Sequence, residues 1–418
     1  MNQLQNTRIF FAPLPHENLF TALSELFSKE TLSETDQKEL LVRLGELSEI
    51  AFTYGFSQNI WQQFLAFELA SSVNSFSTAC ERHTNLGSME SLALEDAKLF
   101  MNLFSRSFAS VPAPHSWLLT EYEAGEPSKA FPEDSTRKIK ILAENLAGAT
   151  SPKEFLRILK NFYHAEGTGE FPFYQAFRLD SENHTMLPIR QPQTSRFDEL
   201  VGYEAQKEEL RRNTENFIQG KPCNNVLLFG ESGTGKSTCI KSVLHEYAPQ
   251  GLRMIELYKH QIRDLSALAS SLRYSACHFI IYMDDLSFEE YEVEYKYLKA
   301  MIEGGLDTRP ENVLIYATSN RRHLVREQWS DRRESENDLH SSDTMQEKLS
   351  LSARFGVTLY FPSPDAKEFR TIVKTLADEY QISMPEEDLL REAQRWEMRH
   401  GGLSGRSARQ FILYLQGK

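Results

Sequence analysis

Within eight residues, Gly230-Glu231-Ser232-Gly233-Thr234-Gly235-Lys236-Ser237 sets three glycines beside a lysine and a hydroxyl, a combination suited to holding phosphate. Glycine tolerates positive φ, so the chain can turn several amides inward around phosphate oxygens. Lys236 would neutralise the β and γ phosphates, and the Ser237 hydroxyl would ligate a magnesium ion bound to them. The apolar run Val226-Leu227-Leu228-Phe229 precedes the loop, and Thr238, Cys239, Ile240, Lys241 and Val243 after it have helical character. Strand, glycine turn and helix start are the setting of a nucleotide-binding P-loop, so Gly230 to Thr238 are candidate nucleotide contacts.

Two later apolar runs also end in side chains that nucleotide chemistry needs. Phe279-Ile280-Ile281-Tyr282-Met283 reads as a strand buried on both faces and ends in Asp284-Asp285. In a Walker B arrangement Asp284 holds the magnesium through water and Asp285 orients the attacking water. Val313-Leu314-Ile315-Tyr316-Ala317 ends in Thr318-Ser319-Asn320, which puts an amide at a strand tip, where it could contact the γ phosphate or that water. Taken singly, Asn320 is more often a turn residue.

The order of these elements resembles the AAA+ ATPases, and two arginines extend the resemblance. Arg354, in Leu351-Ser352-Ala353-Arg354-Phe355-Gly356, lies just before the apolar run Val357-Thr358-Leu359-Tyr360-Phe361. There the family carries the arginine finger that reaches a neighbouring subunit's γ phosphate. Gly402-Leu403-Ser404-Gly405-Arg406 looks like the family's sensor 2 motif in the lid, with Arg406 as the phosphate contact and Arg409, one turn on, the weaker candidate. Phe197-Asp198-Glu199-Leu200-Val201-Gly202-Tyr203-Glu204 resembles the segment that packs beside adenine, so Val201, Gly202 and Tyr203 are candidate base contacts. The same residues fit a plain turn before a helix starting near Glu204 equally well. The resemblance covers about residues 190 to 418, and within AAA+ it is closest to a bacterial ATP-binding family of uncharacterised cellular role. It implies ATP and Mg2+ as ligands, and a homo-oligomer in which Arg354 acts in trans.

One residue departs from the family pattern. Walker B usually reads Asp-Glu, whereas the second acid here is Asp285, one methylene shorter. An offset of about 1 Å costs on the order of a hundredfold in rate, so slow hydrolysis is expected. Glu289 and Glu290 stand close enough in sequence to compensate, but with Glu292 and Glu294 they read more simply as a solvated acidic segment.

Composition sets outer limits. A chain of 418 residues, 40% hydrophobic and 25% charged, suits a soluble globular protein of two or three domains. No run of 18 apolar residues is present, and Met1 to Phe20 lacks a basic-then-apolar leader, which predicts a cytoplasmic protein with no membrane association. Cys80, Cys223, Cys239 and Cys277 lack the spacing of a zinc site or disulfide framework, and Cys239 reads as a packed, inert thiol. The net charge is −13, and residues 1–190 carry 16 Lys and Arg against 24 Asp and Glu, which argues against a general nucleic-acid binder. The notable basic cluster is Arg321-Arg322-His323 with Arg326, Arg332 and Arg333, which could touch DNA or an acidic partner but reads more readily as subunit interface or surface. Residues 327 to 350, including Trp329, are polar and loop-like.

The fold class that follows is α/β: an AAA+ P-loop αβα sandwich on a five-stranded parallel sheet, with a small helical lid and a mostly helical N-terminal domain. Residues 1–165 form that first domain, with Leu19, Phe20, Leu23, Leu26 and Phe27, then Leu40, Leu41, Leu44, Leu47 and Ile50, then Phe155, Leu156, Leu159 and Phe162 at helical spacing. Residues 166–192 are a linker or short hairpin, from the alternation of Phe171, Phe173, Gln175 and Phe177 and the run Leu187 to Arg190. The ATPase core spans 193–361 and the lid 362–418, with strands expected near 226–229, 253–258, 278–283, 312–318 and 357–361. Lid helices are expected to start at Ser363-Pro364 and at Ser383 to Pro385.

Two functional readings stay open. The first is an oligomeric AAA+ ATPase that slowly hydrolyses Mg-ATP to remodel or load a macromolecule, protein being favoured over nucleic acid by the acidity. Tyr258-Lys259-His260-Gln261-Ile262 is no aromatic-hydrophobic-glycine loop, so polypeptide threading is not supported. The alternative is an ATP-sensing interaction module with negligible turnover. A small-molecule kinase would leave the order of Asn320, Arg354 and Arg406 without a reason.

Overall fold

The computed structural model describes residues 8–29, 31–106, 115–125, 131–180, 182–289, 292–303, 309–321, 324, 351–400 and 402–417. Helices α1 (Glu17–Ser28), α2 (Glu34–Tyr54), α3 (Ile60–Ser71), α4 (Ser75–Glu81), α5 (Met89–Phe104), α6 (Glu133–Ala147) and α7 (Pro152–Glu166) come first. They form where apolar residues recur every three or four positions. Leu19, Phe20, Leu23, Leu26 and Phe27 bury the inner face of α1, and Leu40, Leu44 and Leu47 that of α2, while Leu41 is exposed. Ser33 with Asp36 makes a reciprocal capping box at the start of α2, and Ser151 with Pro152 starts α7.

Helix α3 is buried on nearly every side, as Trp61, Phe64, Leu65, Phe67 and Leu69 around its circumference require. Polar groups drawn in with it are paired. Trp61 Nε1 donates to the Leu103 carbonyl at 3.0 Å, and the buried Glu68 carboxylate accepts the His16 backbone N–H at 2.8 Å.

By compactness the chain divides into two units, Met1–Gln175 with Pro188–Pro192 and Tyr274–Cys277, and Ala176–Leu187 with Gln193–Arg273 and His278–Lys418. The second holds a sheet of β1 (Ala176–Leu179), β2 (Met186–Pro188), β3 (Val226–Gly230), β4 (Leu252–Glu256), β5 (His278–Met283), β6 (Val313–Ser319) and β7 (Val357–Phe361). Their order is β2-β1-β4-β5-β6-β3-β7. Seven strands therefore replace the expected five. The extra two are the segment read as a hairpin: β1 joins the edge of β4 in parallel, Ala176↔Met254 to Arg178↔Glu256. Strands of three or four residues are too short for periodicity to reveal that they extend a larger sheet. Phe171 and Phe173 precede β1 in turns.

The remaining neighbours β4·β5, β5·β6, β6·β3 and β3·β7 are all parallel. Every residue of β6 is buried, as continuous apolar runs in a covered parallel sheet should be. The same unit contains α8 (Glu204–Ile218), α9 (Lys236–Tyr247), α10 (Leu265–Leu272) and α11 (Glu294–Glu303). It ends in a lid of α12 (Ala366–Glu379), α13 (Glu386–His400) and α14 (Gly405–Gln416) around Phe369, Val373, Leu376, Leu389, Ala408 and Phe411. Helix α12 is capped by Asp365, in a reciprocal box with Glu368, rather than by Ser363: the aspartate accepts two orphan N–H groups, from Lys367 and Glu368. Helix α13 begins directly after Pro385.

Candidate nucleotide-binding site

Strand β3 lies between β6 and β7, so the loop leaving its carboxyl end opens over three strand tips, where open parallel sheets take ligands. Gly230, Gly233 and Gly235 have φ of 140°, 76° and 95°. A Cβ on Gly230 would collide with the Phe361 carbonyl, and one on Gly235 with the Leu200 side chain. At Gly230 the clash is with backbone and excludes any side chain on contact as well as on φ; at Gly235 φ is the stronger bar, because the Leu200 side chain could shift.

Lys236 opens α9 and is 6% exposed, so its ammonium needs acceptors. Its Nζ donates to the carbonyls of Gly230 at 2.8 Å and Glu231 at 2.6 Å, and to Asn320 Oδ1 at 3.1 Å. Burial holds its pKa below the usual lysine value, against the opposing charges of Asp285, Glu231 and Asp284. Thr234 Oγ1 closes the loop by donating to the Glu231 carbonyl at 2.9 Å.

The acids meet this loop from the end of β5, and Thr318 meets them from β6. Ser237 Oγ donates to Asp284 Oδ1 at 2.7 Å, and Thr318 Oγ1 donates to the same oxygen at 2.6 Å. Asp284 faces the open cavity; what desolvation it has pushes its pKa up, but the Thr318 and Ser237 hydroxyls outweigh that and hold it below the ordinary value. Asp285 has left-handed backbone, φ 49°, its N–H donates to Thr318 Oγ1 at 2.9 Å, and its Oδ1 accepts from Asn320 Nδ2 at 2.7 Å. Asn320 thereby links Lys236 to Asp285. The sequence reading assigned Thr318 no role. No local signal marked it, since Asn320 follows the strand and Thr318 reads as an ordinary strand-end residue.

These groups line a cavity of about 480 Å³, within the range of small-molecule sites. Ser232, Gly233, Thr234, Gly235, Lys236, Ser237, Thr238, Asp284, Asp285, Asn320, Arg406 and Arg409 supply its polar wall, and Val201, Ile372 and Leu376 an apolar end. Tyr203 also lines it, but its hydroxyl is spent on the Pro362 carbonyl at 2.8 Å, and burial pushes its pKa up to about 12. Gly202, Gly230, Glu231 and Arg354 are not among the lining residues. The lid touches the loop through the Arg406 N–H, which donates to the Gly233 carbonyl at 3.2 Å, while Arg406 Nη1 stands 3.5 Å from Ser232 Oγ. Ser237 and Asp284 present two hard oxygens at one point, a partial set of the kind Mg2+ takes when phosphate and water complete its shell, so the donor chemistry fits that ion.

Elsewhere, Arg354 forms an ion pair with Glu303 at the end of α11. The segment read as solvated and acidic is partly neutralised, because Glu292 pairs with Lys259 at 2.5 Å and Glu294 with Arg263 at 3.0 Å. Cys239 is fully buried, which pushes its thiol pKa up to about 12 and leaves it unreactive. Glu290, Arg322, His323, Arg326, Trp329, Arg332 and Arg333 lie outside the described residues. Among the described residues no helix is long and apolar enough to cross a membrane.

A glycine loop on a strand flanked by the last two described strands, followed by a three-helix lid, has the layout that the AAA+ resemblance implies. The chain belongs to the family described as "Protein of unknown function (DUF815)", whose profile matches residues 173–418. Solved structures similar to it include a mutant form of Thermotoga maritima RuvB, 18% identical over 53% of this chain and 64% of that chain, with a TM-score of 0.36. The chain thus spans just under two thirds of that RuvB. Others are the FIGL-1 AAA domain in complex with ADP (20% identity, 54% and 75% covered, TM-score 0.35) and the Aeropyrum pernix ORC1 protein in complex with DNA (17%, 52% and 65%, 0.35). No curated protein sequence matches the chain.

Proposed function

We propose that this protein is an oligomeric ATPase that slowly hydrolyses Mg-ATP and couples it to remodelling or loading a macromolecule. The observation that carries this reading is convergence: Lys236, Asn320 and Asp285 form one hydrogen-bonded chain, with Ser237 and Asp284 beside it, in a single cavity. The base would occupy the apolar end, against Val201, Ile372 and Leu376, and the triphosphate the amides of Ser232 to Thr238. Lys236 would exchange its internal acceptors for phosphate oxygens. Bound Mg2+, held by Ser237 and Asp284, would neutralise charge on the β and γ phosphates. Asp285 and Asn320 would orient the attacking water, and Arg406 would contact the bound phosphates from the lid.

Arg354 stands outside the cavity of its own chain, which supports a role as arginine finger toward a second copy. The acidic balance favours a protein target over nucleic acid. A second reading, an ATP-sensing module with negligible turnover, is supported by the short Asp285 carboxylate being already engaged by Asn320.

Phosphate release from ATP, measured as a function of protein concentration, separates the two. The ATPase reading expects specific activity to rise with concentration, and Arg354→Ala to cut kcat by about 10³-fold with nucleotide binding retained. Tight ATP binding with no release at any concentration would overturn it and leave the sensing module.

A further inference from the structure

We propose that Thr318 is a positioning residue for both acids, fixing Asp284 toward the metal and Asp285 toward the water. The inference rests on the nucleotide-site reading above and assigns a part of that site to a residue outside its motifs. The regular pairing of β5 with β6 ends at Met283↔Ala317. Beyond it, one residue holds the next three: the Thr318 carbonyl accepts the Leu286 N–H at 2.7 Å, and its Oγ1 contacts both the Asp285 N–H at 2.9 Å and Asp284 Oδ1 at 2.6 Å. An N–H can only donate, so Thr318 Oγ1 accepts from Asp285, and its single proton is committed to Asp284. The hydroxyl therefore has one orientation, set by the turn it supports.

That turn needs support. Asp285 sits in the left-handed region, which disfavours non-glycine residues and persists where surroundings over-determine it. Thr318 is 2% exposed, so solvent has little access to its hydroxyl, and a valine there would leave the Asp285 N–H without the partner the turn uses. On the metal side, Thr318 and Ser237 converge on the same Asp284 oxygen. Partners behind a metal-binding carboxylate set its orientation, and losing one typically costs about 10- to 100-fold in metal affinity.

The test is titration of the 418-residue chain with a fluorescent, non-hydrolysable ATP analogue, with and without Mg2+, for wild type, Thr318→Val and Thr318→Ser. We expect Thr318→Val to lose about tenfold of the Mg2+-dependent gain in affinity while metal-free affinity is unchanged, and Thr318→Ser to restore the gain. In phosphate release, Thr318→Val should lower kcat with little change in KM. Full retention of the Mg2+ gain in Thr318→Val overturns the proposal while leaving the site reading intact. A wild type that binds no nucleotide overturns both. Should Thr318→Val fail to fold, Thr318→Cys keeps the size with a poorer donor: a reduced gain beside a normal Thr318→Ser supports the role, and an unchanged gain overturns it.

Discussion

The cavity has two walls built on different terms. On the sheet side, Lys236 and Thr318 are buried, and their hydrogen bonds run from 2.6 to 3.1 Å. On the lid side, Arg406 is exposed and its guanidinium reaches the loop only at 3.5 Å, the outer limit of a hydrogen bond. The first wall is organised before any ligand arrives, because its polar groups could not be buried otherwise. The second has a donor in place and leaves most of its hydrogen-bonding capacity for the ligand. Preorganised groups contribute most where charge develops, so the sheet wall should dominate rate and the lid wall affinity.

Lys236→Ala attacks the first wall at its centre and should produce the largest effect. We expect about a 10²- to 10³-fold loss of kcat, read by phosphate release, with weaker binding in parallel; activity close to wild type would dissolve the distinction between the walls. Arg406→Ala tests the second wall. A nucleotide titration should show about tenfold weaker triphosphate binding with an unchanged melting temperature, since the side chain supports nothing buried. The smallest effect concerns stability. The folded-state pKa of Asp284 is depressed, so its contribution is fully present above the ordinary aspartate value near 4 and is lost as pH falls through the lower folded value. Urea unfolding from pH 7 to pH 3 should therefore show a shallower acid limb in Asp284→Asn than in wild type; identical limbs would remove the two hydroxyls as the cause of the depression.

What was legible in the sequence follows the same division. Glycine spacing, a lysine and a hydroxyl each carry separate chemistry, and the runs that become β3, β5, β6 and β7 are long enough to announce buried strands. The short β1 and β2 gave only an alternation that suits any hairpin. Thr318 was silent for another reason. A threonine ending an apolar run looks like any β-branched strand residue, and its part depends on Asp284 and Asp285, brought beside it by strand pairing over more than thirty positions. The pair Arg354–Glu303 is similarly non-local, and nothing near either residue marks the other. The start expected at Ser363-Pro364 fell two residues early, because proline in a first turn was the signal followed and the cap is Asp365.

Gly230 carries one last consequence. Its missing side chain leaves room for the Phe361 carbonyl, and Phe361 is followed at once by Pro362, the residue held by the Tyr203 hydroxyl, and by the four-residue stretch to α12. The glycine loop therefore begins beside the connection from which the first lid helix springs. Helix α12 has 14 residues, an arm of about 21 Å at 1.5 Å per residue. Were that arm to turn about Pro362, a rotation of about 10° would carry its far end by about 4 Å, a displacement as large as a side-chain contact.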